Sequence, residues 1–420
     1  MNTASDYDLI IVGGGLAGVS LAISLAQQPL RVALIESHPF RTGAPPSYDD
    51  RGIALSFGSR RIFEGLGLWE ELAPRVTAIH HIHVSDQGRF GFTRLESTQE
   101  HVDALGYVAT ARTLGEVLIA RLAQVENLDL ISPARLTELK LGSDHASVTV
   151  EHQGDAEGLI QTLTASLVVA ADGGNSAVRR QLDIRTTDRD YHQTAIVANI
   201  STQCPHDNRA FERFTRHGPL ALLPLDSEQL GEAPDHRCAL VWTRSPADAE
   251  RLLAASDADF LAELQHCFGQ RLGRLEKVGK RHGYPLKLIR AREQVRARLA
   301  LIGNAAHTLH PIAGQGFNLG LRDVATLAQA IVDAHRAGDD IGALSTLEPY
   351  AQWRQQDHRK VIGFTNALVR GFSNRFPPLA LARNTGLLAT DLLPPLKHSL
   401  ARHSMGLSGK LPRLARGLSL

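Results

Sequence analysis

Apolar residues follow two rhythms along this chain. Leu9-Ile10-Ile11-Val12 and Val32-Ala33-Leu34-Ile35 are unbroken apolar runs of strand length, and Leu299-Ala300-Leu301-Ile302 repeats the pattern late in the chain. A strand apolar on both faces belongs inside a parallel sheet covered on both sides. Val148 to Glu151 and Thr162 to Ala170 also read as strands. Leu16 to Gln27, Ser59 to Leu72 and Arg112 to Val125 carry helical periodicity. Ile79 to Phe92 alternates and turns at Gln87-Gly88, which predicts a hairpin.

Residues 185–298 change character. Thr194 to Asn199, Ala210 to Thr215, Gly218 to Leu225, Arg237 to Thr243 and His282 to Leu288 are strand-like pieces separated by turns. Two helices, Pro246 to Ala254 and Asp257 to Phe268, interrupt them. This predicts an inserted, mostly antiparallel sheet that forms one wall of a substrate pocket. Helices follow over about Asn318 to Arg336, Leu347 to Phe372 and Leu379 to Leu392. The fold class is α/β. Its expected parts are 1–184 with a small β insertion near 76–110, the inserted sheet 185–298, a return segment 299–345, C-terminal helices 346–396 and a basic tail 397–420.

Composition narrows the field. The 420 residues are 43% hydrophobic and 21% charged, with a net charge of +1. That supports a large core and gives no concentrated basic surface for nucleic acid. The three cysteines, Cys204, Cys238 and Cys267, show no CxxC spacing, so neither a disulfide framework nor a structural zinc site is expected. His81 and His83 share a strand face, but Asp86 falls on the other and no cysteine is near; packing is the expected role and no metal site is assigned. The start of the chain lacks a cleavable signal pattern, and no apolar run is long enough to span a membrane. A cytoplasmic protein is expected. The tail carries Lys397, Arg402, Lys410, Arg413 and Arg416 among leucines, with no acid. It reads either as a solvated segment or as one lying on an anionic membrane surface.

Three motifs carry the chemistry. The first is Gly13-Gly14-Gly15-Leu16-Ala17-Gly18 between strand and helix, with Glu36 at the end of the second strand. In that context GxGxxG marks a dinucleotide site. Gly13 makes the turn, Gly15 admits the pyrophosphate beside Leu16 and Ala17, Gly18 lets helix and strand pack, and Glu36 accepts from ribose hydroxyls. Arg51, at the end of a Pro- and Gly-rich loop, and Arg112, at a helix start, are each balanced between a cofactor contact and a surface position. The second motif is Asp172-Gly173 at a strand end before a Ser-capped helix. The third is Gly303-Asn304, followed by the turn-rich Pro311 to Gly316 and a helix entering at Phe317 and Asn318.

These motifs, in this order, resemble the class A flavoprotein monooxygenases, the para-hydroxybenzoate hydroxylase-like aromatic hydroxylases, over residues 6 to 370. Leu301 to Gly320, Arg209 to Thr215 and Gly218 to Pro224 look like the ubiquinone-biosynthesis hydroxylases among them. The resemblance implies a Rossmann-like FAD-binding domain with an inserted antiparallel substrate sheet. It implies FAD as cofactor, NAD(P)H as reductant and O₂ as co-substrate. It places FAD on Gly13, Gly15, Leu16, Ala17, Gly18, Glu36, Asp172, Gly303 and Asn304, with Ala313, Gly314, Gly316, Phe317 and Asn318 beside the flavin ring. Pro311, His307 and Gln315 stand nearest the reaction. Asn304 departs from the aspartate that most relatives carry. The substrate implied is a polyprenylated phenol, specifically 2-polyprenyl-6-methoxyphenol oxidised to 2-polyprenyl-6-methoxy-1,4-benzoquinol. Implied partners are other ubiquinone-biosynthesis proteins, a peripheral contact with the inner membrane, and a second copy of the chain in an oligomer. Hydroxylation at another ring position, a prenyl-lipid dehydrogenase or reductase, and an FAD-binding scaffold subunit remain alternatives. A protein base for the phenol is not identified.

Overall fold

The computed structural model describes residues 5–40, 51–154, 158–225, 236–373 and 376–420. Most of the loop 37–50 therefore lies outside the described residues.

The apolar runs form the heart of a parallel sheet. Its strands lie in the order Val295–Arg296, Leu299–Leu301, Ile160–Ala170, Tyr7–Val12, Val32–Ile35 and Leu128–Ile131. All neighbours are parallel except the first pair. Leu9 and Ile11 point into one core with helices Leu16–Ser24, Ala111–Leu122 and Gln315–Ala337. Ile10 and Val12 point into a second core, covered by strands Ala134–Leu141 and Ala146–His152. Both faces are dry, which is why the runs show no alternation. The strand Leu128–Ile131 escapes the pattern because it lies at the sheet edge with Asp129 and Leu130 exposed.

The inserted segment builds a nine-stranded sheet around the 17-residue strand Thr186–Thr202. Helices Pro246–Ala254 and Asp257–Phe268 cover one face, and their bounds match the expectation. Ser245 and Ser256 cap them by accepting from the Asp248 and Asp259 amides. Trp242, Phe260 and Phe268 are buried beneath. The opposite face turns toward the parallel-sheet part, where a Cβ on Gly52 would lie 2.4 Å from the Ala239 methyl.

Several boundaries differ from expectation. The helix predicted over Ser59 to Leu72 is two pieces, Phe57–Gly65 and Trp69–Leu72, broken where Gly67 takes φ +68°. The hairpin strands are His81–Asp86 and Phe92–Glu96, and the first pairs in parallel with Arg209–Thr215, so the hairpin extends the nine-stranded sheet. His83 packs there between Phe92 and Phe211, and burial pushes its imidazole down to about 4. Thr77–Ile79, Gly106–Thr110 and Gly52–Ser56 make a separate three-stranded sheet.

The tail departs most. It does not simply hang in solvent, though Leu418 stays exposed. After helix Pro394–Ser404, residues Met405, Leu414 and Ala415 are buried, the last two against helix Phe57–Gly65. Three of its basic side chains find partners within the protein: Arg413 with Asp333, Lys397 with Asp391, and Lys410 over the Trp353 ring; Arg402 and Arg416 are exposed. The preceding helix, Pro377–Leu392, is inverted. It turns Asn384 and Asp391 inward, to the Gly91 amide and to Arg94, and leaves Leu381 exposed. Buried polar groups with good partners decide its orientation. Among the described residues no helix is long and apolar enough to cross a membrane.

Candidate flavin site

Strands Tyr7–Val12, Ile160–Ala170 and Leu299–Leu301 are parallel neighbours, so the loops at their carboxyl ends converge. The three motifs therefore touch. A Cβ on Gly13, whose φ is +108°, would lie 2.6 Å from the Ala171 carbonyl and 2.8 Å from the Asp172 Cα. A Cβ on Gly18 would lie 1.9 Å from the Gly13 oxygen, and one on Gly303 would lie 3.2 Å from the Ala17 methyl. Only glycine fits at the first two positions.

The ligand side of this junction is built differently. Helix Leu16–Ser24 starts at Gly15 with no side-chain cap, and a Cβ on Gly15 would meet nothing within 4 Å. Uncapped amides facing open space suit a pyrophosphate. Glu36 braces the turn, accepting from the Gly14 amide at 2.6 Å and from the His38 amide at 2.9 Å. Asp172 accepts from the Val178 amide through Oδ2, while its buried Oδ1 has no hydrogen-bond partner among the described residues. An orphaned carboxylate oxygen beside uncapped amides is the donor and acceptor set that the phosphates and sugar hydroxyls of FAD require, so the residues present fit that cofactor.

Arg51 and Arg112 come to one place, since the Ala111 amide donates to the Arg51 carbonyl at 2.9 Å. The Arg51 guanidinium also lies over the Tyr284 ring, 5.0 Å from its centroid. Asn304 is exposed on the 3-10 turn Gly303–Ala305. Pro311 leads into a second such turn, Ile312–Gly314, which contains Ala313. Gly314 takes φ +60°, and a Cβ there would come within 2.6 Å of the Ala54 methyl. Gln315 is buried at the start of the 23-residue helix, and a Cβ on Gly316 would face open space. That helix also begins without a side-chain cap or an early acid, so its positive end suits an anion.

Two of the expected contacts have other work. Asn318 donates to the carbonyls of Ala54 and Gly314, at 2.8 and 2.6 Å, and accepts from the Ser56 amide and the Ser59 hydroxyl. Its amide is fully committed to fastening the loop onto strand Gly52–Ser56. Phe317 stacks near Phe63, with centroids 6.5 Å apart, and packs on the first core.

His307 lies in a buried network. Its Nε2 is 2.7 Å from Asp323 Oδ2; His358 Nε2 and Arg354 Nε reach Oδ1 at 2.8 and 2.7 Å. The Gly303 amide donates to Oδ2 at 3.2 Å. Burial would raise the Asp323 carboxyl, but His358, His307 and Arg354 hold it well below the usual carboxylate range. Burial pushes His358 down to about 4, so its neutral ring donates from Nε2. Two histidines and a carboxylate in this arrangement are a metal-ligand set by type. Arg354, bonded to the same carboxylate, and separations of hydrogen-bond length make it a polar hub instead. His307 is held in that hub by Asp323.

Three further residues went unremarked in the sequence. Arg179 donates to the carbonyls of Gly174, Asn304 and Ala305, tying the second motif to the third. Asp323 had a signal: an acid four residues after Leu319 and four before Leu327, on an otherwise apolar helix face. His310 is buried beside the Tyr191 ring, and its Nδ1 accepts from the Ile312 amide at 3.3 Å. Burial pushes it down to about 4, so it is neutral and donates from Nε2 to Gln193.

Comparison with known proteins agrees with this geometry. A family described as "FAD binding domain" matches residues 6–365. The chain is 39% identical over 416 residues to ubiquinone hydroxylase UbiL of Rhodospirillum rubrum, covering 98% of this chain and 93% of that one. It is 32% identical over 410 residues to 3-demethoxyubiquinol 3-hydroxylase of Escherichia coli, covering 96% of this chain and all of the other (100%). The p-nitrophenol 4-monooxygenase PnpA of Pseudomonas putida shares the fold, with a TM-score of 0.78 at 18% identity over 96% of this chain and 98% of that one. Converging glycine-rich strand ends, two helix starts without side-chain caps and these relatives together place the chain in the FAD-binding-domain family, as an FAD-dependent aromatic monooxygenase of the ubiquinone-hydroxylase group.

Proposed function

We propose that this protein hydroxylates the ring of a polyprenylated phenol in ubiquinone biosynthesis, converting 2-polyprenyl-6-methoxyphenol to 2-polyprenyl-6-methoxy-1,4-benzoquinol. The observation that carries the substrate class is an apolar wall beside the flavin loop. Phe214 of the nine-stranded sheet, Ile312 of the loop and Val369 of helix Leu344–Ser373 form one buried cluster, flanked by Val84, Tyr191, Leu368 and Phe372. Those four flanking side chains are only partly buried, and an aromatic ring with a prenyl chain suits the apolar surface they leave. The names of the relatives support the pathway.

In this reading Gly13, Gly15, Leu16, Ala17 and Gly18 hold the FAD pyrophosphate, Glu36 the adenosine ribose, and Asp172, Gly303 and Asn304 the ribityl chain. The amides of Ala313 to Gly316, with the helix end behind them, stabilise charge on the reduced ring. FAD, reduced by NAD(P)H, supplies activated oxygen from O₂. The protein contributes position and dryness. Pro311 shapes the substrate side, neutral His310 fixes the loop against the sheet, and the Asp323 hub anchors Gly303 beneath it.

Incubating purified protein with NADPH, O₂ and a 2-alkyl-6-methoxyphenol, then locating the new hydroxyl by NMR, tests the reading. A 1,4-quinol product supports it. Hydroxylation at another carbon transfers the protein to a different step. Phenol oxidation without O₂ supports a dehydrogenase.

A further inference from the structure

Glu212 lies on strand Arg209–Thr215. Alternation puts Phe211 on the face covered by the two helices, and Ala210, Glu212 and Phe214 on the face turned toward the flavin loop. The register is regular. Directly across from Glu212 stand Val84 on one side and Ala221 on the other. Val84 and Phe214 belong to the apolar cluster that contains Ile312 of the flavin loop. Ala210 belongs to the next apolar cluster, with Ile82 and Leu223. An ionisable side chain thus stands in an otherwise apolar strip on the substrate wall.

Among the described residues no hydrogen bond or ion pair reaches its carboxyl. The residue nevertheless keeps part of its surface accessible. An acid without a partner thus faces the same side of the sheet as the residues that meet the flavin loop. The charged and titratable groups on the same wall are otherwise engaged. Asp86, two residues beyond Val84, is held by Arg383 and Asn384. Tyr191 donates to Asn366, and His310 is neutral. Arg209 and Arg213 fall on the opposite face.

Resting on the function proposed above, we infer that Glu212 is a catalytic residue, the acceptor of the phenol proton. The phenol O–H bond breaks and a carboxyl O–H bond forms, leaving the electron pair on the phenol oxygen. That pair raises electron density at the ring carbons ortho and para to it, which makes the ring a better acceptor of oxygen. After oxygen transfer the carboxyl returns its proton to the ring oxygen, and the substituted carbon loses its hydrogen to solvent. Burial pushes the Glu212 carboxyl up to about 8. An acceptor at that value is far better matched to a phenol near 10 than an ordinary carboxylate is.

The test uses FAD-loaded protein with a short-chain 2-alkyl-6-methoxyphenol and no NAD(P)H, binding being read from the flavin spectrum. Only the ionised carboxyl can accept from the phenol O–H, so in the wild type binding should tighten at least about threefold as pH rises from about 6.5 to about 8.5; Glu212→Gln should lose that rise. With NADPH added, wild-type ring hydroxylation should climb over the same interval, and in Glu212→Gln it should fall about 100-fold or more, with Glu212→Asp restoring part of it. Wild-type binding that does not change with pH overturns the inference without any variant, as does a folded Glu212→Gln that hydroxylates within threefold of wild type. If wild-type binding rises with pH through Glu212 but no hydroxylation follows, the reaction assignment fails while Glu212 keeps its role as acceptor.

Discussion

Asp323, in the helix behind the flavin loop, and Glu212, on the sheet facing that loop, are both acids set among apolar neighbours, and their surroundings are opposites. Asp323 receives donors from Arg354, His307, His358 and the Gly303 amide, and stays ionised. Among the described residues Glu212 receives none, and burial pushes its carboxyl up to about 8. A buried charge with a full set of partners fixes geometry; a buried acid with none keeps a proton equilibrium open near neutral pH. The first anchors the cofactor loop, and the second is available for chemistry.

Removing either should show the contrast. Asp323→Ala takes from buried Arg354 its Nε partner, leaving it Asp357, and leaves His307 and His358 without their acceptor, so it should destabilise the fold by about 3 kcal/mol, measured by denaturant unfolding, and release FAD. A variant that unfolds like wild type would mean the hub contributes nothing. Acid should act next. His83, His310 and His358 are buried with imidazoles lowered to about 4. A lowered histidine favours the folded state above its unfolded value near 6.5, and that advantage is lost as pH falls toward 4. Each contributes a slope of up to about 1.4 kcal/mol per pH unit, so Tm should drop steadily across pH 6.5 to 4. A flat Tm over that window would refute the neutral-histidine reading.

Glu212→Gln should move stability the other way. A carboxyl raised from 4.5 to about 8 weakens folding progressively as pH climbs between those values. Glutamine has no such penalty, so the variant should be more stable by about 1–3 kcal/mol at pH 8, with the gain gone below pH 4.5. Greater stability together with lost hydroxylation would mark a functional carboxylate. The smallest effect should come from Asn304→Asp, on an exposed turn: a few-fold change in FAD affinity by fluorescence titration.

The three glycine motifs were legible because a backbone that must approach another backbone admits few residues, and that constraint is local. Pro246–Ala254 and Asp257–Phe268 were legible for the same reason, since serine caps and periodicity lie within the segment. Glu212 was not. Its meaning depends on which face of a strand is dry, and that is set by pairing with Val84, more than a hundred residues earlier. Arg179 joins loops from two strands, so only their adjacency gives it a role. The tail misled because a run of basic residues looks solvated until partners such as Asp333 and Trp353 are in place.

The tail's seat has a consequence for synthesis. Helix Phe57–Gly65 is covered by Leu414, and the Gly58 amide donates to the Met405 carbonyl at 2.8 Å. The parallel sheet also receives Leu299–Leu301 only after the inserted segment has been made. A growing chain therefore exposes the apolar flank of its earliest helices for roughly half a minute at ordinary elongation rates. Nascent chains stalled before residue 405 should bind chaperones that released full-length chains do not.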